Sequence, residues 1–162
     1  MSFSLFVAAL AATPALPADD VAVAAAMFEL CPKILDGTIA LDNAQHLAAI
    51  GYVPSRPHGK AVWVRGGPPE EPVFLAAAST ENGRTCAVTF VDDAAHSRFD
   101  RMNARARTSG YQGAPAGTPP NAPEARTSLL QKDGDTLMML TIGNHIELGE
   151  VPSGAALFNR RN

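Results

Sequence analysis

The sequence predicts an α+β fold: a single two-layer domain in which a mainly antiparallel sheet of five to six strands carries helices on one face. Three observations lead there. Two turn dipeptides, Asn82-Gly83 and Asp133-Gly134, each separate runs of β-forming residues, the signature of local hairpins and therefore of antiparallel pairing. Apolar residues recur at helical spacing before the first hairpin and again between the two. The chain has 162 residues, a length that suits one domain with its own core.

The first 18 residues, MSFSLFVAALAATPALPA, carry no charge, and 13 of them are apolar. The run from Phe3 to Ala12 is too short to cross a bilayer but has the length of a signal-peptide h-region, and small residues follow it at TPA and LPA. We therefore expect residues 1–18 to be a secretory signal, although no Lys or Arg precedes the apolar run. A buried N-terminal helix is the competing reading. The remaining chain, 19–162, is expected to be periplasmic or secreted and to contain no transmembrane segment.

Within 19–162 the elements follow in order. In ADDVAVAAAMFELCPK, Asp19 and Asp20 suit a helix start, and Val21, Ala24, Phe28 and Cys31 form one helical stripe that Pro32 should end. A short second helix is expected from Asp42, with Leu47 and Ile50 on one side and Gly51 at its end. KAVWVRG reads as a strand at 61–66, with Trp63 either in the core or at an interface. VFLAAAS and RTCAVTFVD then form the first hairpin. With Asn82-Gly83 as its two-residue turn, Glu81 faces Arg84, Ser79 faces Cys86 and Leu75 faces Phe90, while Cys86, Val88 and Phe90 share one face.

Asp92 or Asp93 should cap a third helix whose stripe is Ala95, Phe99, Met102 and Ala106. The Gly- and Pro-rich segment 109–124 reads as an irregular surface loop. Asp133-Gly134 makes a second hairpin that pairs Leu130 with Leu137, and one further short strand is expected near His145 to Leu148.

Composition narrows the function classes. The net charge is −3, the pI is about 5.7 and no basic run occurs, so nucleic-acid binding has no electrostatic basis. His46, His58, His96 and His145 lack partners at metal-ligand spacing; the Asp92/His96 pair reads as a cap with an exposed imidazole rather than half of a metal site. No nucleophile elbow, P-loop or dinucleotide glycine pattern occurs, so no catalytic residue, metal or cofactor is assigned. Arg98, Arg101 and Arg105, at helical spacing beside an apolar stripe, are the candidate partner-binding residues, fit for an anionic ligand or an acidic partner. A solvated face, partly neutralised by Asp100 and Glu29, is the alternative.

Cys31 and Cys86 are the only two cysteines. An exported chain with both on inward faces favours a disulfide between them; two buried free thiols are the alternative. With the leader, the helix ending FELCP, the segment HLAAIGY and the strand RTCAV in view, the chain resembles a loose group of small exported two-cysteine bacterial proteins over residues 20–91. That resemblance implies export and a disulfide, and no activity. The resulting expectation is an exported, disulfide-stapled, non-catalytic binding module such as an inhibitor, an immunity-type protein or an envelope accessory, with a small periplasmic hydrolase as the alternative.

Overall fold

The computed structural model describes residues 17–40, 44–55, 62–66, 71–93, 95–142 and 151–161. Sixteen of the 18 residues of the expected leader, the Asp42 helix start, His58, His145 and the expected strand at 145–148 lie outside them.

The fold is α+β with an antiparallel sheet, as the hairpins imply, but the sheet has eight strands rather than five or six. In chain order they are β1 (Val53–Ser55), β2 (Val62–Arg65), β3 (Val73–Thr80), β4 (Gly83–Val91), β5 (Gln112–Gly113), β6 (Thr127–Lys132), β7 (Asp135–Ile142) and β8 (Ser153–Arg161). Across the sheet the order is β1-β2-β3-β4-β8-β7-β6-β5, with antiparallel neighbours throughout. The helices are α1 (Ala18–Ala25), α2 (Cys31–Leu35), α3 (Ala44–Ala49) and α4 (Ser97–Thr108).

Between α1 and α2 the chain makes a π-helical turn, Ala26–Leu30, in which the Cys31 N–H donates to the Ala26 carbonyl five residues back. The cause follows directly in sequence. Pro32 has no N–H to offer the Phe28 carbonyl, and its ring crowds that carbonyl, so the helix widens one turn earlier and continues to Leu35 instead of stopping at Pro32. The extra residue also rotates the buried stripe, which becomes Val23, Met27, Leu30, Cys31 and Ile34, while Val21 is 54 % exposed. The Val21-Ala24-Phe28-Cys31 stripe is corrected accordingly.

The register places one row after another on the helix-facing side of the sheet. One row runs Trp63, Leu75, Val88, Ala156, Met139, Ser128; the next runs Ala77, Cys86, Phe158, Leu137, Leu130. Except for the half-buried Ala77, every member is buried, and Trp63 is thus a core residue. From α4, Phe99, Met102 and Ala106 pack into the same core, and Asn103 accepts a hydrogen bond from Ser128 at 2.8 Å. Ala95 precedes the helix and is exposed, and Ile50, expected beside the buried Leu47, is also exposed.

The second hairpin forms as expected: Asp133 (φ 49°) and Gly134 (φ 86°) make the turn and Leu130 faces Leu137. The first does not keep its expected register. Its turn is Glu81-Asn82, so Thr80 faces Gly83, Ser79 faces Arg84, Ala77 faces Cys86 and Leu75 faces Val88. Gly83 is required inside the strand instead: a Cβ there would lie 2.1 Å from the Arg160 carbonyl oxygen of β8. The slip is by two residues, so each side chain keeps its face and Cys86 still points inward with Val88 and Phe90.

Two further expectations change. β8 fills the middle of the sheet, between β4 and β7. The segment 109–124 is not an irregular loop throughout: Gln112-Gly113 pairs with β6, Gly117 exchanges hydrogen bonds with Thr127, and buried Tyr111 stacks edge-on against Phe158 at 6.1 Å.

Cys31 and Cys86 form a disulfide with Cα atoms 5.5 Å apart, and both residues are fully buried. It closes a separation of 55 residues, worth about 4 kcal/mol on a chain-entropy account. Replacing both cysteines by alanine is expected to lower stability by about 2–5 kcal/mol in guanidinium unfolding. A loss below about 1 kcal/mol would show that the helix is held without the bond.

Candidate functional site

The three arginines singled out in α4 do not share one environment. Arg98 is buried: its Nε donates to Asp20 Oδ1 at 2.8 Å, and Nη1 donates to Glu71 and to the Val91 carbonyl. Arg101 donates through Nε and Nη2 to the two oxygens of the same Asp20. Arg105 is exposed and has no ion pair among the described residues. Two of the three side chains therefore hold α1 to α4, and Asp20 and Glu71 neutralise them, not Asp100 and Glu29. Asp20 is fully buried, which by itself raises its pKa; hydrogen bonds from Arg101 and then Arg98 outweigh that and hold the carboxyl below its ordinary value.

The start of α4 resembles the expected cap only in part. Asp92 Oδ1 accepts the N–H groups of Arg98 and Phe99, and Asp93 Oδ1 accepts those of Ala95 and Ser97. His96 is the N-cap residue itself, with φ 58°. Its imidazole is not exposed as expected: the side chain is 19 % accessible, Nε2 lies 2.6 Å from the Glu124 carbonyl oxygen, and Nδ1 lies 3.5 Å from Asp92 Oδ2. A carbonyl only accepts, so Nε2 carries a proton, and the pair ties the α4 entry to the segment before β6. No group of three His, Cys, Asp or Glu suited to a metal ion occurs among the described residues.

The sequence reading missed a different arginine. On the helix-facing side, the row beyond Ala77–Cys86–Phe158 runs Ser79, Arg84, Arg160, Asp135, Lys132 across five strands. α2 ends at Leu35, which leaves this end of the sheet partly open. Asp135 spends both oxygens on Arg160, at 2.6 and 2.7 Å, and Lys132 donates to the Ser109 carbonyl. Arg84 is left facing a like charge across the strand pair with no carboxylate bonded to it among the described residues. One donor, Nη1, reaches the Leu35 carbonyl at 3.2 Å. The exposed Asp36 lies near enough to feel its charge, but the Asp36 carboxylate accepts from the Thr38 N–H at 2.8 Å.

The half-buried Arg84 forms one wall of a hollow of about 380 Å³ whose other described walls include Ile34, Ile39, Ala40, Ala77 and Ser79. Gly37 is part of it for a steric reason: with φ +82° and the guanidinium stacked on it, a Cβ at this position would lie 2.4 Å from Arg84 Nη1. The hollow thus combines aliphatic walls with one pinned guanidinium. Four of that group's five N–H donors have no protein acceptor among the described residues. A parity argument from sequence would have found Arg84, since it is two residues from Cys86 and must share its inward face.

A second hollow, about 300 Å³, lies beyond Ile39, which lines both. Its walls include Glu29, Lys33, Tyr52 and Arg65. The Tyr52 hydroxyl is buried and has no hydrogen-bond partner among the described residues; burial pushes its pKa up to about 12, against the pull of the Arg65 charge.

Comparison of the chain with protein-family models, with curated proteins and with solved structures gave no significant match. Among the described residues no helix is long and apolar enough to cross a membrane.

Two outcomes are expected. Asp20→Asn leaves Arg98 buried without its main counter-charge and should cost about 3–5 kcal/mol. Because the Asp20 pKa is lowered on folding, its contribution is present above the unfolded value near 4 and is lost as pH falls through the folded value. Wild-type stability should accordingly drop below about pH 4, and the drop should be shallower in Asp20→Asn. Parallel acid limbs in denaturant titrations would contradict the assignment. Gly37→Ala should cost about 1–2 kcal/mol from the left-handed backbone alone, and a stability equal to wild type would mean that position 37 does not hold that conformation.

Proposed function

We propose that this chain is an exported, disulfide-stapled binding module without catalytic activity, of the inhibitor, immunity-type or envelope-accessory kind, and that it binds through the Arg84 hollow. The observation that carries this reading is the Arg84 guanidinium among aliphatic walls, to which no carboxylate is bonded among the described residues. Among the described residues this half-buried cation has no bonded carboxylate, so most of its N–H donors are free to meet an incoming ligand group. The stapled corner supports the same reading. Cys86 lies two positions from Arg84, and Ile34 follows Cys31 by three, so both walls of the hollow are covalently tied together and pre-organised. Export fits the uncharged, apolar first 18 residues and the disulfide, a bond that persists in oxidising compartments.

Arg98 and Arg101 then serve cohesion, and Arg105 is the member of the original trio still offered to a partner. The test is a small-fragment screen by ¹⁵N-NMR on the oxidised protein. Amide shifts are expected to cluster at residues 34–40, 77–79 and 84. Shifts confined to α4, or none at all, would remove the hollow as the binding site.

A further inference from the structure

We propose that the Arg84 hollow recognises an apolar monocarboxylate: one carboxylate group carried on an aliphatic or aromatic tail. This deepens the binding reading above and depends on it.

The count of charges at the site sets the ligand charge. Along the row, Arg160 and Asp135 cancel, and Lys132 is held at the Ser109 carbonyl, three strands away from β4; the Asp36 carboxylate, exposed and accepting from the Thr38 N–H, acts on Arg84 through space and is not bonded to it. Arg84 is the one cation among the described lining residues, and the only other polar side chain among them is the Ser79 hydroxyl. A single guanidinium matches a monoanion; a phosphate monoester or a polyanion would bring more charge than the site compensates. Guanidinium geometry narrows the class further. Its planar fork pairs two parallel N–H donors with the two oxygens of a carboxylate, and the contacts to Leu35 and Gly37 hold that plane in place.

The walls set the rest of the ligand. Ile34, Ile39, Ala40 and Ala77 provide aliphatic surface, and apart from Arg84 only Ser79 offers a polar side chain among the described lining residues, so the portion of the ligand beyond its carboxylate is mainly apolar. A volume of about 380 Å³ lies at the small end of ligand pockets, room for a short chain or one to two residues rather than a folded surface. Such a carboxylate has two sources, a free acid or the C-terminus of a peptide that ends in an apolar residue. The chemistry at Arg84 is the same for both.

The experiment uses the oxidised chain and isothermal titration with four probes: octanoate, octanamide, and the tripeptide acetyl-Gly-Ala-Val as its free acid and as its amide. At least one acid is expected to bind, with its amide weaker by tenfold or more. Preference for octanoate identifies a free-acid site, and preference for the tripeptide identifies a chain-terminus site. Arg84→Gln should weaken the preferred acid at least tenfold. Because Arg84 also satisfies the Leu35 carbonyl, Ala77→Leu is the second variant; it fills the hollow, leaves the guanidinium in place and should abolish binding while the disulfide and circular dichroism stay unchanged. Equal binding of acid and amide, or unchanged binding in Arg84→Gln, overturns the inference, as does the absence of binding by either acid at millimolar concentration. A hollow that takes neutral fragments in the NMR screen while failing these acid tests retains the binding reading and loses only the carboxylate.

Discussion

The bond between Cys31 and Cys86 fixes where the helical layer sits on the sheet, and the shape of both hollows depends on that placement. Cys86 stands at the centre of an eight-stranded sheet, on β4, with β3 and β8 on either side. Holding Cys31 against it places α2 over the middle rows and lets the helix run out at Leu35, one row short of Ser79, Arg84 and Arg160. The other end of the same helical run is held by ions rather than a covalent bond: Asp20 receives both Arg98 and Arg101 from α4. A helix of this length would turn or slide if attached at one point. Attached at two, on opposite sides of a π-turn, it has one position.

The two arginine environments show how context decides what a charge does. Arg98 is surrounded by Asp20, Glu71 and a carbonyl, and its removal from water is compensated where it stands. Arg84 has one carbonyl and a glycine, beside a second arginine whose only bonded acid is already doubly engaged. The same residue type is cohesive in one place and receptive in the other. The difference lies in which arginine has acids bonded to it among the described residues.

Much of this was readable along the chain, and the readable parts share a trait. Asp133-Gly134 specifies its own hairpin because both turn residues adopt positive φ locally, and Asp92 and Asp93 satisfy N–H groups within seven residues. Cys31 and Cys86 were each placed inward by local periodicity and are bonded in the structure. The Arg84 site was readable only through the alternation of β4, a signal that marks a face but not what stands opposite. The first hairpin was misregistered because Asn82-Gly83 is a strong local turn signal that a non-local contact overrides: Arg160 of β8 needs the space a side chain at position 83 would take.

Local preference, then, specified the element types, the second turn, the helix entry at Asp92 and the inward faces of the two cysteines, because each is settled by residues within a few positions. The tertiary structure decided the rest. It set the strand count and the place of β8, whose Gly- and Ala-rich start and polar end have little strand preference until β4 and β7 pair with it on both sides. It carried the first helix through Pro32 by way of a π-turn, and it distributed the acids so that Arg98 and Arg101 are bonded to carboxylates and Arg84, among the described residues, is not. Hydrogen bonds to a neighbouring strand and charges from residues more than 50 positions away leave no mark on the local sequence, which is why those features emerge only once the chain has folded.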